Sequence, residues 1–205
     1  MAPESRCGDG EHFHNNTRNH DDIGADDTRA DDTRALVERA RDHDEEAWAA
    51  LYRAVYPRLL AYARRRLFDG DGAKDAVAET MARAVAGIDR FAWKGGGFDA
   101  WLFGILRHVV LDTQRARRLH HLKDADHSPS GDAGPLEQVL ADEEVGQVRV
   151  AFDLLGPGDR EVLELRVLAG LSSEEVATVL GKRPGAVRMA QSRALERLRQ
   201  SLEKS

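Results

Sequence analysis

An all-α chain of two small helical domains joined by an extended acidic linker is the architecture the sequence predicts, on three observations. Aromatic residues make up 6% of the 205 positions and β-branched runs are short, while Ala, Leu and Arg abound, a balance that favours helix over sheet. Apolar residues recur at spacings of three and four along most of the chain from Ala35 onward. A polar stretch carrying Pro, Ser and Gly then interrupts that pattern at 119–135. The predicted order is a disordered acidic tail over 1–34, a first domain over 35–118, a flexible linker over 119–135 and a second domain over 136–205.

The net charge of −6 conceals a division along the chain. Residues 1–35 carry −5, 36–120 carry +3, 121–146 carry −6 and 147–205 carry +2. Two mildly basic blocks separated and preceded by acidic stretches suit a nucleic-acid binder with solvating appendages. No apolar run is long enough to span a membrane and the N-terminal residues have no apolar signal region, so the expected location is the cytoplasm, with no membrane partner. The single cysteine, Cys7, has no internal disulfide partner.

The tail contains the direct repeat ADDTR-ADDTR and His12, His14 and His20, a spread without the periodicity of a metal site. Leu36, Val37 and Ala40 begin the helical period, and Trp48, Leu51, Tyr52, Val55, Leu59 and Tyr62 continue it in a longer helix that Pro57 is expected to kink. A third helix carries Val77, Thr80, Ala84 and Ile88 on one side and Lys74, Asp75, Glu79 and Arg83 on the other. Three successive glycines, Gly95 to Gly97, follow Phe91, Trp93 and Lys94 and require mobile or unusual backbone. The fourth helix, from Asp99 to about Arg118, buries Trp101, Leu102, Ile105, Leu106, Val109 and Val110 and turns Arg107, His108, Asp112, Arg115, Arg117 and Arg118 outward. A cationic helix after an aromatic loop suits single-stranded nucleic acid, whose bases stack on rings for about 1–3 kcal/mol each while arginines hold phosphates. Trp101 is equally well a core residue, and Trp93 a residue that packs on its own loop.

In the linker, His120, His121, Asp124, Asp126 and His127 have the composition of a metal-ligand set, which keeps a metal-dependent hydrolase open as a competing reading. Helicity resumes after Pro135 with Val145, Val148, Phe152 and Leu155, breaks at Gly156 to Gly158, and continues with Val162, Leu163, Leu165 and Val167 up to Gly170.

The chain's most explicit stretch runs from Leu171 to Arg199. Ser172 to Glu175 is a capping box with Leu171 and Val176 as its flanking hydrophobic staple. Val176, Ala177 and Leu180 form a short apolar stripe, Gly181 is the left-handed stop and Pro184 the first residue of a second helix. That helix turns Val187, Ala190, Ala194, Leu198 and Leu202 inward and Gly185, Arg188, Met189, Ser192 and Arg193 outward. From Lys182 to Arg199 there are six basic residues against one acid. Two helices joined by a glycine turn, the second with a small, cationic N-terminal face, form the layout of a helix-turn-helix that reads the major groove. A solvated helical hairpin is the plainer alternative, and a stand-alone dimeric repressor or activator the other functional one.

With both halves in view, the sequence resembles the extracytoplasmic-function group (group 4) of the sigma-70 family over about Leu36 to Leu202. KDAVAETMARAV (Lys74 to Val85), FDAWLFGILRHVVLDTQRARR (Phe98 to Arg118), and LLGPGDREVLELRVLAGLSSEEVATVLG followed by RPGAVRMAQSRALERLR (Leu154 to Arg199) carry the likeness. The resemblance implies a sigma-2-like four-helix domain and a sigma-4-like helix-turn-helix domain. It also implies a non-catalytic initiation factor without cofactor. Its partners would be the beta and beta-prime subunits of core RNA polymerase, promoter DNA and, in regulated members, an anti-sigma factor. By the same resemblance Asp75, Glu79 and Arg83 would meet polymerase, Trp93 and Lys94 would form the loop that captures a flipped −10 base, and Arg107, His108, Asp112 and Arg115 would face the −10 strand. Arg183, Gly185, Arg188, Met189, Ser192 and Arg193 would read the −35 duplex. Ala78, His108 and Ala190 depart from the glutamine, asparagine and arginine usual there, so base preference does not carry over. Two promoter elements about two helical turns apart lie roughly 70 Å from one another, and a seventeen-residue linker reaches at most about 55 Å. It must therefore run extended, with the domains supplying the remaining span.

Overall fold

The computed structural model describes residues 21–93, 95–124 and 143–203, with side chains over 31–93, 95–120 and 146–203. All regular structure among them is helical: α1 (Asp21–Arg41), α2 (Glu45–Leu67), α3 (Gly70–Gly87), α4 (Gly97–Asp124), α5 (Glu143–Asp153), α6 (Pro157–Leu163), α7 (Ser173–Leu180) and α8 (Pro184–Leu202). A 3₁₀ turn (Ile88–Arg90) follows α3, and α6 continues into one π-helical turn (Glu164–Leu168).

Local chemistry explains most of these boundaries. Asp44 caps α2 by accepting from the Ala47 amide at 3.1 Å, while Glu45 and Glu46 begin the helix and Arg64 to Arg66 end it, complementing its dipole at both ends. Pro57 sits within α2, which runs unbroken past it. Phe68 stops the helix in the left-handed region at φ 54°, and Asp69 caps α3 by accepting from the Asp71 amide.

Two boundaries differ from expectation. Residues 21–34, read as disordered tail, belong to α1; Asp and Arg three apart in the repeat, with no proline, permit a continuous helix. Helix α4 runs to Asp124, so 119–124 of the expected linker are helical. No Gly or Pro occurs between Ile105 and Ser128, so nothing in the sequence stops the helix at Arg118.

Leu51, Leu59 and Tyr62 of α2, Val77, Thr80 and Ala84 of α3, and Leu102, Phe103 and Leu106 of α4 form the first half's core. Tyr62 and Phe103 meet edge-on at 6.1 Å between centroids. That core is continuous with Leu165, Leu171, Val176, Val179 and Val187 of the second half. Helix α4 packs on α7, and α2 on the π turn. Where the sequence suggested two modules held apart, the described halves lie against one another, because α4 is apolar around most of its girth and buries a second flank.

Candidate nucleic-acid interface

The helix-turn-helix is built as its sequence dictates. Ser172 Oγ accepts from the Glu175 amide at 3.1 Å and Glu175 Oε2 accepts from the Ser172 amide at 2.6 Å, closing the capping box. Gly181 takes φ 62°, a left-handed turn that favours glycine, and Pro184 opens α8. Helix α8 buries Val187, Ala190 and Ala194 against α6 and α7, so Arg183, Gly185, Arg188, Met189, Ser192 and Arg193 are all exposed on one side. Glu174 holds Arg188 at 2.9 Å, and Asp159 lies 3.7 Å from Arg193. Both arginines are more than half exposed, so these ion pairs are weak and exchange readily for phosphate or a base edge.

The residues expected at −10 are divided among three places. His108, Asp112 and Arg115 are exposed on one stripe of α4 that continues, at spacings of three and four, through the half-buried Ile105 and Trp101. Trp101, Ile105 and His108 join Arg83, Gly87 and Arg90 around an open cleft of about 350 Å³ between α3 and α4. Arg115 reaches Asp112 at 3.0 Å. Trp93 stands apart and half-buried. Its indole N–H donates to Glu38 Oε1 at 3.2 Å, Arg34 lies over its ring at 5.2 Å, and Phe91 meets it edge-on at 4.9 Å. The indole N–H holds the Glu38 carboxyl below the usual carboxylate range, with Arg41 and Arg34 adding to it. Lys94 lies outside the described residues.

Arg107 stands apart from the other −10 candidates in this closed arrangement. It sits about a quarter-turn of α4 away from His108 and faces the second half, where its Nε lies 2.9 Å from Glu161 Oε1. It belongs to a seam the sequence reading missed. Arg66 Nη2 approaches the same Glu161 oxygen at 3.6 Å and its Nη1 lies 3.3 Å from Glu164 Oε2; Arg65 pairs with Asp153 and lies 3.7 Å from Glu164 Oε1. Glu164 is almost wholly buried, and burial raises its pKa despite Arg66 and Arg65 opposing the shift. The Tyr62 hydroxyl, buried beside them, has no hydrogen-bond partner among the described residues, nor does Arg66 Nε. Arg58 ties the halves further, bonding Asp99 at 2.5 Å and donating to the Ala169 carbonyl at 2.6 Å. The one available signal was Glu164 itself, a carboxylate inside the apolar run VLELRVL.

On α3, Asp75, Glu79 and Arg83 are exposed on one face, with Arg83 Nε 2.7 Å from Glu79. Of the histidine cluster, Asp126 and His127 lie outside the described residues, as do the side chains of His121 and Asp124; His120 is exposed near the end of α4. Among the described residues no group of three or more His, Cys, Asp or Glu is arranged to hold a metal ion, and no helix is long and apolar enough to cross a membrane.

Comparison with known proteins places this geometry. Sigma-70 region 2 matches residues 51–120, which include α3, the glycine loop and most of α4, and sigma-70 region 4 matches 146–198, which include the helix-turn-helix. The chain is 37% identical over 176 residues to the ECF RNA polymerase sigma factor ShbA of Streptomyces griseus, covering 80% of this chain and 92% of that one. It is 33% identical to the ECF RNA polymerase sigma factor SigD of Mycobacterium tuberculosis, covering 82% of each. Among solved structures, CnrH in complex with the cytosolic domain of CnrY superposes with TM-score 0.64 at 26% identity, over 85% of this chain and 99% of that one. The sigma factor RpoE with the anti-sigma factor NepR from Bartonella quintana gives 0.59 at 28%, over 76% and 96%. The chain belongs to the extracytoplasmic-function group of the sigma-70 family: it is an RNA polymerase sigma factor, a protein that joins core polymerase and directs initiation at promoters.

Proposed function

We propose that the two halves of this sigma factor hold one promoter at two points. Arg183, Gly185, Arg188, Met189, Ser192 and Arg193 read the −35 duplex. The α4 stripe of His108, Asp112 and Arg115, with the cleft beside it, holds the unpaired −10 strand, assisted by the Trp93 and Lys94 loop. Asp75, Glu79 and Arg83 dock on core polymerase. Melting is driven by trapping extruded bases, so the factor works by recruitment and capture, without hydrolysis. Its place of action is the cytoplasm, where core polymerase and promoter are found.

The observation that carries this reading is the exposed, cationic N-terminal face of α8 behind a fully formed capping box and glycine turn. Packed helices such as α4 and α7 have axes about 8–10 Å apart, whereas the two promoter elements lie roughly 70 Å apart. The halves therefore separate when the factor joins polymerase. Polymerase then fixes their spacing and raises their joint affinity through effective concentration, so the chain alone binds promoters poorly. An anti-sigma factor, as carried by RpoE in its complex with NepR, fits as a partner that holds the halves in their compact arrangement. Run-off transcription with purified core polymerase tests the reading: specific start sites appear only with this chain present. A tight, specific footprint on palindromic DNA without polymerase would instead favour a stand-alone regulator.

A further inference from the structure

We propose that Arg65, Arg66 and Arg107 form a phosphodiester-binding surface for single-stranded DNA, and that Asp153, Glu161 and Glu164 occupy it as phosphate surrogates while the halves are closed. This rests on the reading that the first half holds an unpaired promoter strand, and it adds Arg65 and Arg66 of α2, which join Arg107 of α4 on a face outside the stripe of His108, Asp112 and Arg115.

The geometry is that of an anion site already filled. Arg66 and Arg107 converge on one oxygen of Glu161, at 3.6 and 2.9 Å, and Arg65 and Arg66 converge on Glu164, at 3.7 and 3.3 Å. Three guanidiniums from two neighbouring helices thus face the same way, close enough to share anions, the arrangement arginine forks use for carboxylate and phosphate alike. Every carboxylate they pair with, among the described residues, comes from the second half. The first half's own acids nearby are committed elsewhere: Asp99 to Arg58, Asp69 to Arg117 and Asp112 to Arg115. Separation of the halves therefore leaves three adjacent cations with no internal counter-charge.

An aromatic ring distinguishes a nucleic-acid strand from an acidic protein as the ligand. Phe68 is 69% exposed, held at φ 54° where a phenylalanine is strained, and lies 6.0 Å from the Arg65 guanidinium. In the closed chain Phe152 covers Arg65 from the second half at 4.9 Å; on opening, Phe68 remains beside the arginines. Cations interleaved with an exposed ring are the elements that bind single strands through backbone charge and base stacking. The seam itself is suited to opening. Buried ion pairs gain little over their desolvation cost, and this one leaves the Tyr62 hydroxyl and Arg66 Nε without partners.

The test uses the full chain with Cys7→Ser, labelled for energy transfer at Ala86→Cys and Gln200→Cys, and measures binding of fluorescein-labelled oligothymidylate, which offers backbone and stacking with no sequence to read. Glu161→Ala should lower energy transfer and raise affinity by about tenfold, the gain when an open fraction of about one tenth becomes the whole population. The slope of log affinity against log salt should steepen by up to about 2, three phosphate contacts at about 0.7 each. Adding Arg66→Ala and Arg107→Ala to that variant should leave energy transfer low and cancel the gain. Asp153→Asn, at the half-exposed rim, should shift both signals the same way by less and serves if Glu161→Ala fails to fold. Opening without tighter binding, a gain that survives removal of the arginines, or no opening in either variant overturns the proposal; tighter binding of an acidic peptide in place of the oligonucleotide does so as well. Run-off initiation by the unmodified chain tests the parent reading separately, so its success alongside a null oligonucleotide result removes the arginine surface alone.

Discussion

Gly96→Ala should prise the two halves apart. A Cβ built on Gly96 would stand 2.7 Å from Ala100 Cβ and 2.9 Å from Glu175 Cα, and the residue's φ is 136°. The strain of that φ on an alanine, about 1–3 kcal/mol, falls on the first half whether open or closed. The approach to Glu175 is different, because its Cα is part of the α7 backbone and yields only if α7 moves. Overpacking of that kind costs about 1–3 kcal/mol and is relieved entirely by opening, so the closed-to-open ratio should fall by about 5-fold to 150-fold. Small-angle scattering should report a larger radius of gyration, and energy transfer between the halves should drop. Gly95→Ala is the matched control. Its added Cβ would meet only the Thr178 side chain, Oγ1 at 3.1 Å and Cγ2 at 3.9 Å, which can shift without moving α7 at the cost of its exposed hydrogen bond to the Gly95 carbonyl, so left-handed strain should lower stability while the halves stay largely closed. Unchanged scattering and energy transfer in a folded Gly96→Ala protein would refute the claim that the α4–α7 contact holds the closed form.

Other outcomes follow from individual residues. Arg188→Ala should weaken −35 binding by the polymerase complex by about 1–3 kcal/mol at the matched base if Arg188 reads an edge, and equally across sequences if it holds phosphate; no loss in a binding titration would remove it from the site. Trp93→Ala should leave −35 binding intact and reduce the permanganate reactivity of −10 thymines; an unchanged signal would assign Trp93 solely to its packing under Arg34 and Glu38. Ser172→Ala should cost α7 about 1 kcal/mol through the lost cap, read by thermal unfolding. Closure should also respond to pH. Burial raises Glu164 above its ordinary value of 4.5, against Arg66 and Arg65 and with Glu161 adding to the rise. The closed form therefore holds that proton more tightly than the open one, so closure strengthens as pH falls towards 4.5 and weakens as pH rises through the raised pKa. Energy transfer measured across that window should show this slope, and Glu164→Gln should flatten it.

What could be read from the sequence was what is local. The Ser172 and Glu175 cap, the Gly181 stop, Pro184 at the start of α8 and the inward spacing of Val187, Ala190 and Ala194 are short-range patterns, and together they fixed the outward face of α8. The −10 set was harder because it depends on which flank of α4 meets which neighbour. His108, Asp112 and Arg115 fall on one stripe by spacing alone, but Arg107 lies on the adjoining face, and its partner Glu161 is 54 residues away. No local periodicity reports such a pairing. The same blindness hid the roles of Arg65 and Arg66, whose run reads equally well as a basic helix end. The ends of α1 and α4 were misjudged for a different reason: acidic, polar composition suggested loop, whereas the lack of Pro and Gly allowed helix to continue.

One chain should adopt two arrangements, closed when alone and parted on a promoter. Energy transfer between labels at Ala86→Cys and Gln200→Cys, followed as core polymerase and promoter DNA are added and transcripts form, measures this directly. High transfer in the free chain that collapses on initiation, as the halves move to elements roughly 70 Å apart, is the predicted result. Transcripts from a specific start site with transfer still high would contradict it.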